Sequence, residues 1–240
     1  MTGPRGGTRV FPGRGLVAFL AASLLALSGA SAHFALSSAG ADDAASVDDY
    51  VKQLEAAYKG TSTLRAQFVQ TYDSGGRIRT ESGTVYFARS GKMRWEYREP
   101  EQKLFLSDGK QLMLYVPSEK QLTRSPVKSS EDARVPFRLL LSHLNLHKVF
   151  GRIEYRDQAL KAQTGDRVLA GLPKRNQEED FREVLMEVTP TYDIRRLLIR
   201  YPDQSTMEFS FDHIERNVPV SPSMFRFSPP PGTEVIDESE

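Results

Sequence analysis

His143 and His147 stand four residues apart, a spacing that puts both imidazoles on one face of a helix, as in metal-dependent hydrolases. The residue after His143 is Leu144, where such a site has its glutamate, and no third ligand is evident, so a surface or capping role fits the pair better. Ser90-Gly91-Lys92 lacks the upstream glycine of a phosphate loop, and no Gly-x-Ser-x-Gly elbow occurs. The chain has no cysteine, which removes thiol nucleophiles, disulfides, thiolate metal sites and a lipid-modified N-terminal Cys. The acids Asp48-Asp49 and Glu178-Glu179-Asp180 fall in helix-start and loop contexts and read as solvated. No catalytic constellation, cofactor or metal is therefore expected, and a secreted hydrolase acting on lipid or acyl substrates is an alternative without a visible site.

The elements carry more information than these isolated groups. The 240 residues include 32 Lys and Arg against 31 Asp and Glu, with 39% apolar residues, a globular composition with no basic excess for nucleic acid. Arg5, Arg9 and Arg14, the apolar run Leu16–Leu27 and Ala30-Ser31-Ala32 have the order of a secretory signal peptide. The run is too short for a membrane span, so residues 1–32 are expected to be cleaved after Ala32. Residues 33–45 are small and polar and read as a flexible leader, leaving 46–240 as one domain.

Val47, Tyr50, Val51, Leu54, Ala57 and Tyr58 recur at three- and four-residue steps, which predicts a helix over 46–59 with Ser46 as N-cap and Gly60 as its stop. The period then changes to two. Leu64, Ala66 and Phe68, then Val85 and Phe87, then Met93, Trp95 and Tyr97 alternate with polar neighbours. Further strands are expected at 103–107, 112–116, after Pro117-Ser118-Glu119-Lys120, and at 181–188, 194–201 and 206–213, with weaker ones at 168–172 and 224–227. Consecutive strands with short turns predict an antiparallel meander of roughly ten strands, enough to curl toward a barrel. The segment from Pro136 to Leu146 is too apolar for a one-faced surface helix. It either closes the mouth of an incompletely filled barrel or plugs a solid core, and the pattern leaves both open.

Gly83-x-Val85-x-Phe87-x-Arg89, Arg94-Trp95-x-Tyr97-x-x-Pro100, Ser107-Asp108-Gly109-Lys110 and Tyr115-x-Pro117-x-x-x-Gln121, in this order, resemble the outer-membrane lipoprotein carrier family of the LolA type. Pro136-Phe137-Arg138-Leu139-Leu140 and the ending Phe225-x-Phe227-Ser228-Pro229-Pro230-Pro231-Gly232-x-x-Val235 extend the resemblance over nearly all of the chain after residue 46. It implies a mainly β fold with α, an unclosed antiparallel barrel whose helices form a lid over an apolar cavity. It also implies a periplasmic chaperone that takes lipoproteins from an inner-membrane ABC transporter to the outer membrane and an acceptor there, as a monomer. Phe68, Phe87, Trp95, Tyr97, Leu112, Leu114, Met207, Phe209 and Phe211 become candidates for the acyl-chain cavity, with Leu140, Leu141 and Leu144 from the lid. Met93 and Met113 would suit a pliable lining. Arg89 matches the family arginine that hydrogen-bonds lid backbone and holds the empty cavity shut, while Arg94, alternating with Met93 and Trp95, reads as a solvated or salt-bridged face residue. Ser90 stands where the family often has proline. An envelope regulator that senses lipid or lipoprotein through the same cavity is a further alternative, disfavoured because only a short acidic tail follows Val235.

Overall fold

The computed structural model describes residues 39–127 and 144–238. Residues 1–32 and most of the expected lid, Leu140 and Leu141 among it, lie outside the described residues, as does His143.

Helix α1 (Ala39–Lys59) opens the fold. It starts well before the expected Ser46, because Ala41, Ala44 and Ala45 favour helix and Asp42 and Asp43 suit a helix N-terminus. Seven residues of the expected flexible leader are thus helical. Strands β1 (Thr63–Ser74), β2 (Arg77–Ala88), β3 (Lys92–Glu99), β4 (Lys103–Asp108), β5 (Gln111–Val116) and β6 (Gln121–Pro126) follow. After the short helix α2 (Leu146–Val149) come β7 (Arg152–Tyr155), β8 (Arg167–Leu172), β9 (Glu183–Val188), β10 (Ile194–Arg200), β11 (Thr206–Arg216) and β12 (Glu234–Asp237).

The strands form one sheet in the order β12-β6-β5-β4-β3-β2-β1-β11-β10-β9-β8-β7, twelve strands among the described residues where about ten were expected. Neighbours pair antiparallel except β12, which runs parallel to β6. The two additions to the count are β7 and β12, while the strand expected at 224–227 is replaced by a 3-10 turn, Pro222–Phe225. Pro222 at the turn's start and Ser221, whose side chain accepts from Ser223 N, account for that departure.

Inward residues as far apart in strand order as Leu112 of β5 and Leu169 of β8 join one buried cluster with Val47, Val51 and Leu54 of α1. A flat sheet could not bring them together, so the sheet curls around this core and stays unclosed between β12 and β7. Gly83 sits at a register shift between β2 and β3, where a Cβ would lie 1.9 Å from the Glu96 carbonyl oxygen. The bend therefore depends on a residue without a side chain.

The β2–β3 hairpin turns on Ser90 at φ 68° and Gly91 at φ 72°. Proline, held near φ −65°, could not occupy position 90 in this turn. The convex face is covered at both flanks: Leu104, Leu106, Met113 and Leu122 pack with Tyr115 and Phe227, and Val168, Ala170 and Leu185 pack with Ala159, Leu160 and Ala162. Met113 thus faces outward instead of lining the interior, unlike Met93. Arg94 forms a 2.6 Å ion pair with Glu96 and donates to the Met224 carbonyl at 3.0 Å, pinning the 3-10 turn to the convex side. No described helix is long and apolar enough to cross a membrane.

Candidate functional site

The strand register sorts the concave face into rows about 6.6 Å apart, since residues on one face repeat every second position. The row nearest the end of α1 is Leu64, Phe87, Met93, Ser107 and Leu112, and the next is Ala66, Val85, Trp95, Phe105 and Leu114. The third runs from Phe211 through Phe68, Gly83 and Tyr97 to Lys103, and the fourth holds Phe209, Gln70 and Glu81. The face therefore grades from apolar at the α1 end to polar at the other.

Apart from Met113, every described residue proposed for the lining belongs to this one core. Phe68, Phe87, Trp95, Leu112, Leu144, Phe209 and Phe211 are buried, and Tyr97, Leu114 and Met207 are half-buried against them. Trp95 has no exposed surface and sits at the centre of an aromatic group, its ring 4.8 Å from Phe68, 5.4 Å from Phe209 and 5.7 Å from Phe87. These rings pack on one another in tilted and edge-on contacts, the arrangements that aromatic quadrupoles favour. Phe105, Val85 and Leu64 belong to the same face and extend the sequence-based set; their two-residue alternation was the available signal.

Helix α1 roofs one end of this face through Val47, Val51 and Leu54, spaced to share one side of the helix. Polar tethers hold it. Tyr58 Oη accepts from Ile194 N at 3.1 Å, and burial pushes its phenol up to about 12. Gln53 bonds Tyr192, and Glu55 Oε1 accepts from Leu146 N at 2.7 Å, which ties α1 to the start of α2. Arg89, exposed at the end of β2, donates from Nη2 to the Lys59 carbonyl at 3.2 Å. The acceptor lies in the last turn of α1, where helix carbonyls lack intrahelical partners and attract cations.

At the far end of the face, Glu81 Oε1 receives Lys103 Nζ at 2.5 Å and Arg79 Nη2 at 2.7 Å. Lys103 also lies 4.5 Å above the Tyr97 ring, whose hydroxyl donates to Gln70 at 2.8 Å. These contacts span four strands, which is why sequence reasoning missed them. Burial pushes the Glu81 carboxyl up, but the hydrogen bonds and charges of Lys103 and Arg79 outweigh it and hold the group below its ordinary value of 4.5. A carboxylate depressed by folding adds stability that is present above the unfolded pKa and lost as pH falls through the folded one. Glu81→Gln is therefore expected to flatten the loss of stability below about pH 5, read as urea midpoints across pH 6 to 3. Identical acid limbs for the two proteins would remove Glu81 from that account.

A cleft of about 710 Å³ is lined by Val69, Thr84 and Ser210 of the convex face and also by Phe68 and Phe211, with Glu187, Arg195 and Arg196 at its side. Arg195 pairs with Asp166 at 2.8 Å and Arg196 with Glu187 at 2.6 Å, a charged lining unsuited to acyl chains. Among the described residues no group of three or more His, Asp and Glu could hold a metal ion. His147 is exposed, its Nε2 3.9 Å from Asp48.

Residues 59–228 match the family described as outer membrane lipoprotein carrier protein LolA. The outer-membrane lipoprotein carrier protein of Nitrosomonas europaea is 31% identical over 190 residues, covering 78% of this chain and 88% of that protein. That of Chromobacterium violaceum is 30% identical over 187 residues, covering 78% and 86%. Among solved structures, an uncharacterized conserved protein from Thermus thermophilus superposes with a TM-score of 0.51 at 12% identity, over 80% of this chain and 99% of that one, a likeness of fold.

Proposed function

The chain belongs to the outer membrane lipoprotein carrier family of the LolA type, and on that premise we propose that its concave face takes up the acyl chains of lipoproteins in the periplasm and carries them toward the outer membrane. The observation that carries this reading is the continuity of the apolar face, in which Phe68, Trp95, Phe209 and Phe211, drawn from three strands, form one surface beneath α1.

The physical need for such a face is plain. Each methylene hidden from water contributes about 0.8 kcal/mol, so a free multi-chain anchor in water costs on the order of tens of kcal/mol. The carrier must also give the chains back. In the closed form the rings satisfy one another, so an incoming acyl chain exchanges apolar contacts for apolar contacts. That exchange moderates affinity and keeps loading reversible. The α1 roof, held by three buried aliphatic side chains and four polar tethers, is the element that must shift, and Arg89 is its latch.

In this reading residues 1–32 export the chain, an ABC transporter of the inner membrane donates the lipoprotein, and an outer-membrane acceptor receives it. Transfer needs no covalent step. The test is to isolate the protein from the cell envelope and identify what comes with it. Lipoproteins should co-purify, and an apolar fluorescent probe should bind the purified chain and be displaced by acylated peptide. Neither lipoprotein nor probe bound would overturn the reading.

A further inference from the structure

An apolar face alone would hold acyl chains in either direction and would hold free fatty acid as readily as a lipoprotein. The polar end of the same face adds direction. Lys103 is only 14% exposed and Glu81 8%, so this is a built ion pair at the margin of the core, not a surface contact. Replacing such buried pairs by apolar residues is often neutral or stabilising, so stability alone is a weak reason for keeping a pair at this place.

Their bonding leaves capacity in one place. A lysine ammonium has three donors, and Glu81 takes one of those of Lys103. Among the described residues both bonds to Glu81, from Lys103 and from Arg79, land on Oε1, which leaves Oε2 as an acceptor there. A donor and an acceptor side by side match an amide, and the ammonium matches an ester carbonyl. Lys103 stands one row, about 6.6 Å, beyond Trp95, Phe105 and Leu114, and Glu81 stands in the row after that.

We propose that Lys103 and Glu81 bind the amide and ester headgroup of the acylated cysteine, orienting a lipoprotein with its chains along the apolar rows and its polypeptide leaving past β4. The proposal rests on the carrier reading and specifies which end of the cargo the face recognises.

Two probes separate the possibilities: a synthetic peptide with an N-acyl, S-diacylglyceryl cysteine, and diphenylhexatriene, which has neither amide nor ester. Lys103→Met should weaken lipopeptide binding by about tenfold or more, the range for hydrogen bonds to charged groups, and leave dye binding unchanged. Lys103→Arg should recover part of the loss. The double variant Glu81→Gln with Lys103→Met should show the same selective loss without leaving a buried charge unpaired. Unchanged lipopeptide affinity in these variants, or an equal loss for both probes, overturns the headgroup assignment while the carrier reading stands. A native protein that takes the dye but not the lipopeptide overturns both.

Discussion

Trp95→Ala is expected to lower Tm by about 6–20 °C, and a long-chain acyl ligand should recover more of that loss than it adds to the native protein. Truncating a buried tryptophan costs about 3–5 kcal/mol, and each kcal/mol moves Tm by about 2–4 °C in a domain of this size. Trp95 is the largest fully buried side chain, and its neighbours Phe68, Phe87, Phe209 and Phe211 would line the space it leaves. Apolar holes of that kind stay dry and accept apolar guests. A ligand that binds only the folded chain raises Tm by mass action, and it does so more when its site has been enlarged. The control is Leu185→Ala, which opens a hole in the separate cluster on the convex face. It should destabilise without ligand rescue. Thermal unfolding with and without ligand decides the matter, and a Trp95→Ala protein that no acyl ligand restores would make the concave core a solid one.

The same position illustrates what the sequence made legible. Met93, Trp95 and Tyr97 alternate with charged residues, and the structure buries or half-buries all three on one face because a strand has a period of two. Helix α1 was likewise readable from Val47, Val51 and Leu54, though its start was not, since the alanines before Ser46 carry no apolar periodicity. Strand β12 left no such trace: all four of its residues are exposed, and its ladder bonds to β6, helped by the Arg124–Asp237 pair, are what define it. Phe225 and Phe227 misled in the other direction, because alternate aromatic residues read as a strand while Pro222 had already committed the chain to a turn.

The functional face divides along the same line. Its apolar rows follow from local alternation, and every strand candidate among the described residues except Met113 falls on it. Its polar end does not, because Glu81 and Lys103 become neighbours only when β3 lies between β2 and β4 in a given register. A shift of one residue in either pairing would turn one of them to the convex side. Sequence pattern fixes which side chains share a strand face; it carries far less about which strands will stand side by side, and polar networks depend on the latter.

Arg89→Leu is expected to leave Tm nearly unchanged and yet cause lipoprotein to accumulate on the carrier. The guanidinium is exposed and makes its bond to the Lys59 carbonyl at 3.2 Å, so its loss removes little from the folded core. In the carrier reading proposed above it weighs on the balance between the closed and the loaded forms, because that bond joins the end of α1 to the residue after β2. A hydrogen bond of this kind contributes about 0.5–1.5 kcal/mol, so removing it shifts the balance toward the loaded form by roughly two- to tenfold. A ligand favoured by that shift leaves more slowly, and delivery stalls at the carrier. Arg89→Lys keeps the charge near the helix C-terminus but not the fork, and should fall between the two. The measurement is the ratio of bound lipoprotein to carrier in envelope extracts, with Tm taken on the same preparations. A native ratio in Arg89→Leu would show that the latch does not set release, and a large fall in Tm would assign the residue to folding.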